Sequence, residues 1–154
     1  MFKKNRTTNI LFQVFTLITA FLFFSCQTYK ESIAHKKMYK TIYIDQFKLT
    51  YFRQLVMRSY NNSIQIKQII ALDHSGFTEG ILTENDYKLI DSLTFLDNQK
   101  LVMDSTNSIG KVAEGAEGKH IFIFLIKRIG GKWLDSLARS RYKFAKVNIR
   151  FPEY

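Results

Sequence analysis

Residues 121–126 read "IFIFLI", six apolar residues with no polar interruption. Periodicity cannot separate a buried strand from a buried helix in so short a run. Its β-branched and aromatic content favours a strand on local propensity. A partner exists for such a strand in "TIYIDQFKLTY", residues 41–51, whose residues alternate. Pairing the two would give an α+β fold with a small sheet built from residues 41–52 and 120–126. If the run is instead helical, the fold is all-α.

On its C-terminal side the chain turns at Gly130-Gly131 and enters "KWLDSLARSRYKFAKV", where Trp133, Leu134, Leu137 and Tyr142 form an apolar stripe with arginine and lysine opposite. That is the pattern of an amphipathic helix. On its N-terminal side, "NSIGKVAEGAEGKH" carries three glycines and reads as a flexible loop. Before that loop stands the clearest start signal in the chain, "TENDYKLIDSL". Thr83 lies three residues ahead of Asp86, which suits an N-cap with carboxylates in the first turn. Tyr87, Leu89, Ile90, Leu93 and Leu96 continue the apolar period, and the helix is expected to pass Leu101 towards Ser105. Further upstream, "SIQIKQIIALDHSG" predicts a short helix ending at Gly76, followed by the glycine-bounded loop "GFTEG". In "IDQFKLTYFRQLVMRSYNN", Phe47, Tyr51, Phe52, Leu55 and Val56 fall at helical spacing, with Asn61-Asn62 as the stop.

The chain has one cysteine, Cys26, at the border between an apolar and a polar run. Lys3, Lys4 and Arg6 supply a basic start, and residues 10–24 an apolar stretch of signal-peptide length, shorter than the roughly 20 residues of a spanning helix. Phe23-Phe24-Ser25-Cys26 resembles the lipobox of bacterial lipoproteins, which implies cleavage after Ser25 and acylation of Cys26. An uncleaved signal anchor and an ordinary secretory signal fit the same segment. The lipoprotein reading divides the chain into a signal at 1–25, a lysine-rich tether at 26–40 without apolar period, and a single domain at 41–154. It expects a lipid-anchored protein on the periplasmic side of the envelope, with the outer membrane favoured because Gln27, not aspartate, follows the cysteine. Multiple acyl chains are what stable anchoring requires. With no cysteine pair, the fold must rest on apolar packing.

The formal charge of +10 includes the three basic residues of the signal, leaving +7. From Asp73 to Glu117 nine acidic residues face three basic ones, and from Lys119 to Arg150 nine basic residues face only Asp135. Such segregation could steer a charged partner or be neutralised internally on folding. Nucleic acid is not an expected partner for an exported protein.

The search for catalytic chemistry is negative. Asp73, His74 and Ser75 are sequence neighbours, whereas triad members meet across space. His35, His74 and His120 lack metal-ligand spacing, and Gly118-Lys119-His120 breaks the phosphate-loop pattern. No cofactor is called for.

Three blocks, "YFRQLVMRSYNN", "ALDHSGFTEGILTENDYKLIDSL" and "FLIKRIGGKWLDSLARSRY", resemble in order and spacing the immunity proteins that neutralise type VI secretion amidase effectors. Leu134-Asp135, Leu137, Arg139 and Tyr142 resemble the family's closing helix, and Asp73, Ser75-Gly76-Phe77 and Glu79 a middle motif. Cysteines usual in the family's helices are replaced here by residues such as Leu55, Val56 and Phe124. The resemblance implies an all-α, compact bundle of about five helices in which "IFIFLI" is a buried helix, and a noncatalytic periplasmic inhibitor that covers the cleft of a peptidoglycan-cleaving cysteine amidase. A homodimer is among the states it implies. Glu79, Glu114 and Glu117, on the glycine-bounded loops, are the candidate partner contacts. The alternative is a lipid-anchored envelope domain whose basic terminal helix meets anionic lipid or wall polymer.

Overall fold

The computed structural model describes residues 6–76, 80–109, 111, 113 and 118–145, with side chains from residue 33 onward. It has five helices and, among the described residues, no strand: α1 (Arg6–Ser59), α2 (Ile64–Leu72), α3 (Glu84–Ser108), α4 (Ile121–Gly130) and α5 (Lys132–Ala145). The fold is all-α. Contacts divide the chain into two units, 1–39 and 40–154. In the first, the described residues are all helical, so residues 26–39, read above as tether, lie within α1. No helix among the described residues is long and apolar enough to cross a membrane.

The second unit is organised on the C-terminal part of α1. Tyr43, Phe47, Tyr51 and Leu55 recur every four residues on one helix face and are at most 1% exposed. Against them pack Ile90 and Leu101 of α3, Ile121 and Leu125 of α4, and Leu134, Ala138, Tyr142 and Ala145 of α5. Residues 41–52, the other half of the sheet considered above, are therefore helical, and their alternate apolar residues do not all face the core. The asparagine stop holds: Asn61 and Asn62 both adopt φ of 54°, and their N–H groups donate to Arg58 and Met57 carbonyls in the last turn of α1. Asparagine tolerates this left-handed conformation better than most residues. Lys119 Nζ adds a donor to the Ser59 carbonyl at 3.0 Å, placing a cation at the C-terminal end of α1.

α2 starts at Ser63, whose hydroxyl accepts from the Ile66 N–H. It ends at Leu72, four residues earlier than the sequence pattern suggested. The reason is local: the Asp73 side chain accepts from both the N–H and the hydroxyl of Ser75, and this Asx-type turn competes with helix continuation. Gly76 follows with φ of +112°, and a Cβ there would stand 2.7 Å from Gln46 Nε2 and 2.8 Å from Leu49 Cδ2. Gly76→Ala should therefore cost about 1 kcal/mol or more, combining unfavourable φ with close approach. Its melting temperature against wild type would check this, and an unchanged value would show that the turn can re-form without glycine.

The start of α3 is as expected, with a reciprocal capping box between Thr83 and Asp86. Its buried face differs from the apolar series read in the sequence. Asp86, Ile90, Thr94, Asp97 and Leu101 are buried, while Tyr87 and Leu96 are exposed. "IFIFLI" is helical as the family resemblance implied, with tertiary packing overriding local propensity, but it is not buried all round. Ile121 and Leu125 face the core, and Phe122, Ile123 and Ile126 face outward. In α5 the inward stripe is Leu134, Ala138, Tyr142 and Ala145, with Trp133 half-exposed.

Candidate functional site

Two aspartates carried into the core by α3 organise the polar interior. Asp86, fully buried, accepts from the Thr83 N–H at 2.9 Å, the Thr83 hydroxyl at 2.7 Å and Arg141 Nε at 2.9 Å. Burial alone would raise its pKa, but the Thr83 and Arg141 donors outweigh that penalty and hold it below the usual carboxylate range. Burial and the neighbouring Asp86 push the Tyr43 phenol well above the ordinary tyrosine value. Asp97 accepts from Arg128 Nη2 at both oxygens, 3.0 and 2.9 Å, and from the Tyr51 hydroxyl. The Arg128 guanidinium lies 3.8 Å from the Trp133 ring centroid. Tyr51, buried beside Asp97, is likewise shifted upward.

These pairs join the acidic middle of the chain to its basic end, so part of the charge segregation is neutralised internally. Arg141, which the sequence pattern put on the exposed basic face of α5, points inward to Asp86. Asp135 is shared by Lys48 at 2.7 Å and by Arg139, whose donors hold its pKa low.

An open cleft of about 390 Å³ lies between α1, α2 and the segment entering α3. Arg53, Gln54 and Met57 line one side, with Ile70, Ile81 and Tyr87 opposite. Arg53 Nη2 donates to the Asp73 carbonyl and carboxylate, both at 2.9 Å, and to the Ser75 carbonyl at 2.7 Å. Arg53 Nε and Gln54 Oε1 are buried without a hydrogen-bond partner among the described residues. Asp73 is held at a pKa of about 2 by the Ser75 hydroxyl and N–H and then by Arg53. The Asp73-His74-Ser75 series is thus a brace that fixes the end of α2 to α1, and its hydroxyl and carboxylate are spent on each other. α2 beside it has no buried residue and exposes Ile64, Ile69 and Leu72.

Glu79, Glu114 and Glu117 lie outside the described residues. Cys26 lies within α1, and its side chain is outside the description. His35, His74 and His120 are exposed, and no group of metal-ligating residues occurs among the described residues. Sequence reasoning missed Arg53, Arg128 and Arg141 as the residues that hold the site together. The available signal was the recurrence of Asp86 and Asp97 in register with Ile90 and Leu101.

The class these observations define is a small all-α protein in which several acidic and basic groups brace the helices against one another. No family model, curated protein or solved structure matches the chain.

Proposed function

We propose that this is a noncatalytic immunity protein, lipid-anchored through Cys26 on the periplasmic side of the envelope, that binds and blocks a peptidoglycan-cleaving cysteine amidase. The observation that carries the reading is the Arg53 brace on Asp73 and Ser75. It fixes the Asp73–Ser75 turn beside the exposed apolar side chains of α2. A turn held in place next to apolar anchors is a common arrangement for protein recognition. The same residues fall in the segment that resembles the family's middle motif. An enzyme that cuts cell wall outside the cytoplasm would be met by an inhibitor exported to the same compartment.

The test mixes the purified full chain with an amidase effector, bearing a catalytic cysteine and histidine, encoded beside it. Wild type should stop wall-peptide hydrolysis at molar equivalence. Leu72→Asp combined with Ile69→Asp should weaken inhibition by at least about tenfold. Reversing Glu79, Glu114 and Glu117 to lysine should slow association, and rising salt should slow the wild type likewise. Unchanged hydrolysis in excess wild-type protein rejects the proposal. So does loss of binding from Arg139→Glu with Lys143→Glu alone, on a face the proposal keeps out of the cleft.

A further inference from the structure

α4 carries large apolar side chains on the side that packing does not use. Ile121 and Leu125 take the core-facing side at 4% and 1% exposure, while Phe122, Ile123 and Ile126 stand out at 62%, 49% and 68%. At about 100° per residue those three share one arc, with Lys127 at its edge. Past the Gly130-Gly131 turn, Lys132 and the half-exposed Trp133 follow. Apolar exposure of this kind marks an interaction surface, and its charge indicates what the surface meets.

On α4 and α5 the only acidic residue is Asp135, held by Lys48 and Arg139. Arg128 and Arg141 turn inward to Asp97 and Asp86. Lys127, Lys132 and Lys143 make no ion pair among the described residues and are exposed. The outward charge of these helices is therefore positive beside bulky apolar groups. α3 differs: its exposed Phe95, Leu96 and Met103 share the helix with exposed Asp104, which makes no ion pair among the described residues and which an anionic surface would repel. We propose that the α4–α5 segment docks on an anionic lipid bilayer, with Phe122, Ile123 and Ile126 entering the headgroup–acyl boundary. Lys127 and Lys132 meet lipid phosphates there, their alkyl stems lying along the apolar boundary. Trp133 belongs at that depth, since an indole combines an apolar body with one polar N–H. The proposal does not depend on which enzyme, if any, the protein inhibits.

Trp133 is the only tryptophan in the chain, so it reports this contact even where residues 1–32 also engage the vesicle. Full-length protein is added to phosphatidylcholine vesicles with or without phosphatidylglycerol, including a brominated-lipid series. Trp133 emission should shift to the blue and be quenched by brominated lipid in the anionic vesicles, and less so in the zwitterionic ones. Phe122→Ser with Ile123→Ser and Ile126→Ser should abolish the quenching, while circular dichroism and cosedimentation through the N-terminal segment stay as in wild type. Lys127→Glu with Lys132→Glu, which leaves the apolar arc intact, should remove the preference for anionic lipid. Quenching that is absent in wild type, or equal in the serine variant, overturns the proposal. A concentration-dependent blue shift without lipid that the serine variant loses would assign the arc to a second copy of the chain instead.

Discussion

Arg141→Ala is expected to destabilise the protein by about 3 kcal/mol at neutral pH, because it leaves a buried aspartate without the cation paired to it. Asp86 is fully buried, and Arg141 donates to one of its oxygens at 2.9 Å. The Thr83 donors to the other oxygen survive the substitution, which keeps the loss at the lower end of the range for broken buried pairs. Thr83→Ala removes the cap and leaves the cation, so about 1 kcal/mol is expected there. The pH dependence identifies the carboxylate. The folded-state pKa of Asp86 is depressed, so its stabilising contribution is present above the unfolded value of about 4 and is lost as pH falls through the folded value. Without Arg141 the burial penalty stands less opposed, and the folded pKa rises. The gap between wild type and variant in urea denaturation should therefore be widest near neutrality and shrink in acid. A gap of the same size at both pH values would mean that Arg141 acts through packing of its stem rather than through Asp86.

The helical skeleton was legible in the sequence because its signals are local. Asn61-Asn62, Thr83 with Asp86, and Gly130-Gly131 stop, start or turn the chain through their own backbone preferences, and each stands where its chemistry requires. The interior was less legible. On α3, tyrosine and leucine were the natural candidates for the core face, yet Tyr87 and Leu96 face outward and Asp86 and Asp97 face in. An aspartate can replace an apolar residue in that register only if a partner far along the chain neutralises it. Arg141 is 55 residues from Asp86 and Arg128 is 31 from Asp97, so no local pattern contains the compensation. The same holds for "IFIFLI". Its composition says apolar, but only the packing of the other helices around α4 decides that Ile121 and Leu125 are covered while Phe122 and Ile126 are left out. Arg53 was invisible for a related reason: its importance comes from carbonyl oxygens of the Asp73–Ser75 turn, and carbonyls leave no trace in side-chain spacing.

The second interior pair predicts a reversal that a simple loss of contacts would not. Arg128→Ala should cost about 3 kcal/mol, since Asp97, whose side chain is 11% exposed, would keep, among the described residues, the Tyr51 hydroxyl alone as donor. The lost stack on Trp133 adds to this and should alter tryptophan emission in the same variant. Burying this pair is itself expensive, because both ions give up water to meet each other. Replacing both by apolar side chains, Asp97→Leu with Arg128→Leu, removes the charges together and should recover most of the single-variant loss. Recovery would be incomplete, because the Tyr51 hydroxyl would then be buried without a partner at a cost of about 1–3 kcal/mol. Adding Tyr51→Phe removes that last polar group, so the triple variant should lie within about 1 kcal/mol of wild type although it lacks every hydrogen bond of the network. Urea denaturation of the single, double and triple variants measures each step. If the triple variant is as unstable as Arg128→Ala, the network contributes net stability that apolar packing cannot replace. If it matches wild type, the network's role lies in fixing how α1, α3 and α4 align. That second outcome is expected, because the Arg128 fork and the Tyr51 hydroxyl meet the same carboxylate from two helices and admit one register between them.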